Sequence, residues 1–148
     1  MAKISGQIRI EATPERVFET IADSRNEPSF NSSMTSVELL TELPIGLGTR
    51  FRAHMGKNDM AMLVEITEFD RPHRVGSHTS SSMMETSGAM TVTPDGEGTV
   101  MRWDWQVRPH GWLRVLGPTF GPLGGWMERK IWGGLKSKLE ADGVTASS

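Results

Sequence analysis

The 148-residue sequence contains no cysteine, which excludes disulfides, thiolate metal ligands and a cysteine nucleophile. It has no tyrosine, so five Trp and five Phe supply all of its aromatic surface. It has no apolar run long enough to span a bilayer, which excludes a transmembrane helix. No basic segment followed by an apolar core opens the chain, so no secretory signal is expected, and the expected location is cytoplasmic. Net charge is −2 with acids and bases intermixed, and without a basic stripe nucleic acid is not an expected partner. What the chain does have is ten Met, a flexible and polarizable residue suited to cavities that adapt their shape or to gaps in a core. The length suits one domain over residues 1–148, with an ordered core of about 3–141, burying roughly 68–70% of its unfolded surface.

Hydrophobic periodicity divides this chain into a strand, a helix, a meander and a second helix. Residues 3–11 alternate, with Ile4, Ile8 and Ile10 on one side. In "ATPERVFETIAD" Thr13 can cap a helix, Pro14 suits its first turn, and Val17, Phe18 and Ile21 form the buried stripe. "SRNEPSFNSSM" is rich in turn formers and reads as a loop or a short second helix. Six strands follow, at about 34–43, 48–57, 59–68, 73–80, 83–93 and 99–108, broken by segments with turn chemistry.

A one-residue slip in a hairpin sends every side chain to the opposite face, so the turns must agree on a common inner side. Pairing Met55 with Met60, Ile66 with Val75, Thr79 with Met84 and Val92 with Met101 satisfies this, with an odd loop near Gly46 joining the first pair. These pairings also set Val64 opposite Ser77, Val75 opposite Gly88, Met90 opposite Trp103 and Gly88 opposite Trp105. The resulting inner face carries no charge and no histidine, while Arg50, Arg52, His54, Glu65, Arg74, His78, Glu85, Arg102 and Asp104 face outward. That is an antiparallel sheet with one wet side, and its other side needs a cover.

The only long cover is "LGPTFGPLGGWMERKIWGGLKSKLE", where Leu116, Phe120, Leu123, Met127, Ile131, Leu135 and Leu139 trace one helical stripe. Six glycines and two prolines interrupt it, although each interior glycine costs about 1 kcal/mol relative to alanine and each proline about 3. Two explanations stand: the helix backbone comes close to Trp103 and Trp105, or the gaps keep room for a ligand. Pro118 and Pro122 place the regular helix mainly at about 123–141, with a frayed tail beyond.

This element order, together with "ATPERVFETIADSRNEPSFNSSM" and "DRPHRV", resembles the START-like, helix-grip (SRPBCC) superfamily, and within it the polyketide cyclase/dehydrase and lipid-transport proteins. The resemblance covers roughly residues 3–141. It implies an α+β helix-grip fold: a curved seven-stranded antiparallel sheet wrapped around a long C-terminal helix, with one or two short helices after the first strand. It also implies a largely apolar cavity between sheet and helix. Carried onto this chain, the mouth lies at turns 57–58 and 81–82 and at the link "PHGW", with Trp112 at the lip. The lining comes from Phe51, Met55, Met62, Val64, Met90, Trp103, Trp105, Phe120, Gly124 and Met127. Ser77, Thr79 and Thr86 supply the hydrogen-bonding groups.

The chemistry-bearing residues offer no catalytic signature. His54, His73, His78 and His110 lack metal-ligand spacing and read as solvated or paired at the surface, so no metal or cofactor is expected. Asp104 lies on the outer phase, where an ion pair with a neighbouring arginine is expected, and Glu65 and Glu85 also face outward, so paired carboxylates for acid–base work are not expected. The serine run 80–82 reads as a turn, and "GPLGG" lacks the spacing of a phosphate loop. Three functions remain open. The first is binding of a small hydrophobic ligand, lipid-like, aromatic or polyketide-like, in the enclosed cavity. The second is a polyketide cyclase or dehydratase acting by substrate positioning in the same cavity. The third is an interaction module like the chaperone activators. The expected partner is the small hydrophobic ligand, and the chain is read as a monomer or homodimer.

Overall fold

The computed structural model describes residues 2–56, 60–110 and 117–147, with side chains described for 3–56, 60–110 and 124–142. Strand β1 (Ala2–Ile10) leads into helix α1 (Pro14–Ala22) and a 3-10 helix (Ser24–Ser29). Strands β2 (Met34–Leu39), β3 (Arg50–Met55), β4 (Met60–Asp70), β5 (Arg74–Ser80), β6 (Met84–Asp95) and β7 (Gly98–Pro109) follow, and helix α2 (Gly117–Ser147) ends the chain. The strands form one antiparallel sheet in the order β1-β7-β6-β5-β4-β3-β2. This is the expected α+β helix-grip arrangement. The segment left open between loop and helix is the 3-10 helix.

Thr13 caps α1 as its sequence predicts, its hydroxyl accepting from the Arg16 N–H at 3.3 Å, and Pro14 occupies the first turn. Val17, Phe18 and Ile21 are buried, and Phe18 meets Phe69 edge-on with ring centroids 5.3 Å apart. Helix α1 therefore closes one end of the inner face, over Ile66, Val75, Val92 and Met101. The same end is tied by the buried Thr99 hydroxyl, which donates to the Ala12 carbonyl at 2.7 Å.

Two of the expected hairpin registers hold throughout: Met55 faces Met60, and Val92 faces Met101 with Met90 opposite Trp103 and Gly88 opposite Trp105. Two others are displaced by two residues. Ile66 faces Ser77 rather than Val75, and Val64 faces Thr79, because the pairing shifts between Ile66 and Glu68 and the strand then continues to a turn at 71–73. Val75 faces Met90 rather than Gly88, and Thr79 faces Thr86, because the connection is a wider turn in which the Ser81 N–H donates to the Met84 carbonyl at 2.9 Å. A slip of two residues keeps every side chain on its own face, and a β-bulge absorbs the extra residue on β4. The inner side of the sheet accordingly keeps its uncharged character.

Helix α2 departs from its predicted bounds at both ends, starting at Gly117 and continuing to Ser147. Pro118 falls in the first turn, where its missing N–H has no intrahelical partner to lose. The stripe is also rotated. Trp132, Leu135 and Leu139 are buried, Ile131 is half-buried, and Met127 is 47% exposed, so the inward phase runs through Gly124, Glu128 and Trp132.

Of the two explanations for the glycines, close approach holds at Gly124 and Gly134, against neighbours other than Trp103 and Trp105. A Cβ on Gly124 would collide with the Ile4 side chain on β1, and one on Gly134 would lie 2.5 Å from the Phe30 carbonyl oxygen. Gly125 and Gly133 face open space.

Candidate functional site

The sheet and α1 leave the inner face covered unevenly. Near α1 it is closed, while Met55, Met62, Val64, Ser77, Thr79 and Thr86, toward the 55–60 and 80–84 turns, are only half-buried. The register lines up Phe51, Val64, Thr79, Thr86 and Val107 as one row across five strands. A second row places Ile66, Ser77, Gly88 and Trp105 side by side. Two threonine hydroxyls and a serine are thus set among apolar neighbours on a face that retains accessible surface.

Phe51, Met90, Trp103 and Trp105 are buried, at 0–7% exposure, and form the base of this face. Gly124 belongs to it through its contact with Ile4, whereas the exposed Met127 does not line it. Trp112 and the side chain of Phe120 lie outside the described residues.

The structure adds a polar centre that the pattern of the sheet does not place. Glu128 projects from α2 toward the sheet, and one of its oxygens, Oε2, accepts from two indoles: Trp132 Nε1 at 2.6 Å and Trp105 Nε1 at 3.3 Å. Glu27, in the 3-10 helix, accepts from the Asn31 amide at 3.3 Å. Asn31 is itself fixed, its backbone N–H donating to the Glu27 carbonyl at 2.8 Å and its Oδ1 accepting from the Ser33 N–H at 3.1 Å. Burial pushes the Glu27 carboxyl up to about 7; the Asn31 hydrogen bond opposes this, and repulsion from Glu128 adds to it. Burial also raises Glu128, while the two indole donors pull it back. Both carboxyls are thus held above the usual carboxylate range, and any charge on Glu128 opposes ionisation of Glu27.

Aromatic rings wall this centre. Trp132 lies 5.9 Å from Phe30 and 6.3 Å from Trp103, centroid to centroid, both tilted at 41°. Trp103 lies over Gly6 of β1, where a Cβ would come within 2.5 Å of the indole. The Trp103 Nε1–H is buried on the inner side and has no acceptor among the described residues. Of the carboxylates, Glu65 and Glu85 face outward as strand parity predicts. The sheet brings none inward, but the two helices bring one each. The signal that could have found Glu128 is its spacing, since 124, 128, 132, 135 and 139 form as good a helical stripe as the all-apolar one. Glu27 sits among turn formers and carries no such phase.

The outer face holds the other chemistry-bearing residues. His78 Nδ1 lies 2.7 Å from the Ser87 hydroxyl, and Glu85 lies between His78 and His110 at 3.6 and 3.3 Å. His54 sits 3.2 Å from Glu38. These are paired surface histidines on the wet side of the sheet, where a nucleophile would face solvent rather than an enclosed substrate. Asp104 is exposed opposite Ala89 and Ser5, and no arginine reaches it among the described residues, so the expected ion pair does not form. A groove of about 370 Å³ over Arg52, Ala61, Leu63, Ser80 and Ser81 is also on this side.

Residues 1–140 match the family described as polyketide cyclase/dehydrase and lipid transport. The chain belongs to that polyketide cyclase/dehydrase and lipid-transport family. Among solved structures it is similar to a START superfamily protein from Mycobacterium smegmatis, with 14% identity, a TM-score of 0.82, and coverage of 95% of this chain and 99% of that one. It is also similar to a protein from Thermus thermophilus, with 20% identity, a TM-score of 0.79, and coverage of 95% and 98%. No curated protein matches it. At these identities the likeness is one of fold, and the polyketide cyclase/dehydrase family membership rests on the sequence match. No described helix is long and apolar enough to cross a membrane.

Proposed function

We propose that this protein binds a small hydrophobic molecule between the inner face of the sheet and α2. The observation that carries the reading is that Met62, Val64, Ser77, Thr79 and Thr86 form an uncharged inward face that is only half-buried, while the other end of the same face is sealed by α1. Burying apolar surface is worth about 25 cal/mol per Å², so a lipid-like, aromatic or polyketide-like guest needs few polar contacts to bind. Native mass spectrometry of freshly purified protein is expected to reveal a co-purified mass. A naphthalene-based dye is expected to bind with about micromolar affinity and quench the emission of Trp103, Trp105 and Trp132. Failure of every apolar probe to bind overturns the reading.

A second reading, a cyclase or dehydratase, is favoured by Glu27, whose pKa of about 7 suits a group that takes and returns a proton near neutrality. On that reading Thr79 and Thr86 orient the substrate. Turnover of a polyketide-like substrate would then disappear in Glu27→Gln while substrate binding persisted.

A further inference from the structure

We propose that Glu27 and Glu128 together form the recognition point for a protonated amine carried by an otherwise apolar guest. This rests on the ligand-binding reading above and narrows it to a chemical class. Glu27 and Glu128 come from elements that meet where the Phe30 and Trp132 rings lie 5.9 Å apart, with the Phe30 N–H on the Glu27 carbonyl and the Trp132 indole on Glu128, and no basic side chain pairs with either carboxylate among the described residues. Several acids elsewhere do have cationic partners: Glu38 and Glu65 with Arg52 and Arg50, Glu68 with Arg74, Glu140 with Lys136. Arg25, the base nearest to Glu27 in sequence, is committed to Asp23 at 2.7 Å.

The donors that are present leave capacity unused. Both indoles address the same oxygen of Glu128, and Asn31 addresses one oxygen of Glu27. An ammonium has three donors and no acceptor, which complements two carboxylates with free lone pairs. The rings of Trp132, Phe30 and Trp103 stand around the pair, and their faces attract a cation while packing against an apolar body. The unpaired Trp103 indole N–H, in the same sheet–helix interior, is a separate sign that the interior is completed by a guest, because a buried donor without an acceptor is costly. Two buried carboxylates repel each other until a proton or another cation arrives. A guest ammonium supplies that charge without the protein having to take up the proton.

The ionisable neighbour that bears on Glu27 among the described residues is Glu128, so amine binding should strengthen as Glu27 loses its proton. The test uses the full-length protein and three naphthalene probes of matched size, naphthylethylamine, naphthylethanol and naphthylacetate, followed by Trp emission and calorimetry. At about pH 8 the amine is expected to bind about tenfold more tightly than the alcohol, and the alcohol more tightly than the acid. The preference is expected to shrink at about pH 5.5, where the Glu27 carboxyl holds its proton. Glu27→Gln and Glu128→Gln are each expected to lower amine affinity about tenfold and leave the alcohol unchanged, which also reports that the variants are folded. Equal binding of amine and alcohol by the native protein, or an amine preference that survives both substitutions, overturns the proposal while leaving the ligand-binding reading standing. Failure of all three probes to bind overturns both.

Discussion

Glu27 shows how one side chain can set the pH response of the fold. Its carboxyl is neutral up to about pH 7 in the folded protein but ionises near 4.5 when the chain unfolds. The folded state therefore holds a proton that the unfolded state has released, and stability falls as pH rises between those values. The stabilisation is complete below pH 4.5, is lost progressively up to about 7, and amounts to at most about 3 kcal/mol. Glu128 is shifted in the same direction and steepens the trend. Chemical denaturation of Glu27→Gln should show a flatter pH profile and a gain of about 2–3 kcal/mol at pH 8 over the parent. A parent profile that rises between pH 5 and 8 would contradict this assignment. Legibility at this scale was uneven. The outward placement of His54, His78, Glu65, Glu85 and Asp104 followed from strand parity. Glu27 and Glu128 did not follow, because a glutamate on a helix is ordinarily a solvated residue and only its neighbours reveal otherwise.

At the scale of elements, α2 is where sequence reading reached its limit. Seven apolar positions drew a stripe through Met127, yet the helix is turned so that Glu128 and Trp132 point inward and Met127 meets solvent. Periodicity fixes a helix far better than it fixes which of two adjacent columns faces the core, particularly where glycines remove side chains that would decide between them. The glycines themselves are separable by experiment. Gly133→Ala meets open space in a helix interior and is expected to stabilise by about 1 kcal/mol. Gly134→Ala presses on the Phe30 backbone and is expected to destabilise by about 1–3 kcal/mol. Thermal melts of the two variants should therefore move in opposite directions from the parent. Because Phe30 closes the turn that begins at Glu27, the second variant should also disturb the carboxylate pair.

For the whole molecule, the common inner face was legible because hairpin parity tolerates errors of two residues but not of one. The bulge on β4 stayed hidden because an inserted residue leaves no mark on composition. Neighbouring positions on that strand give a direct check. Leu63 is 49% exposed on the wet side and faces Arg52, whereas Val64 is half-buried on the inner side and faces Thr79. Leu63→Glu should change stability by less than about 0.5 kcal/mol and leave dye binding intact. Val64→Glu should cost several kcal/mol or abolish dye uptake, since it places a charge on the apolar wall.

Pairing of β1 with β7 runs the full length of β1, from Ala2 opposite Val107 to Ile10 opposite Thr99. The opening strand therefore has no hydrogen-bonding neighbour until the seventh strand has been made, and α2, which lies along β1, is later still. Contacts so distant along the chain place folding in the slower, millisecond-to-second regime. A nascent polypeptide leaving the ribosome would hold the meander first, and the inner face would gain its α2 cover only after all seven strands had emerged.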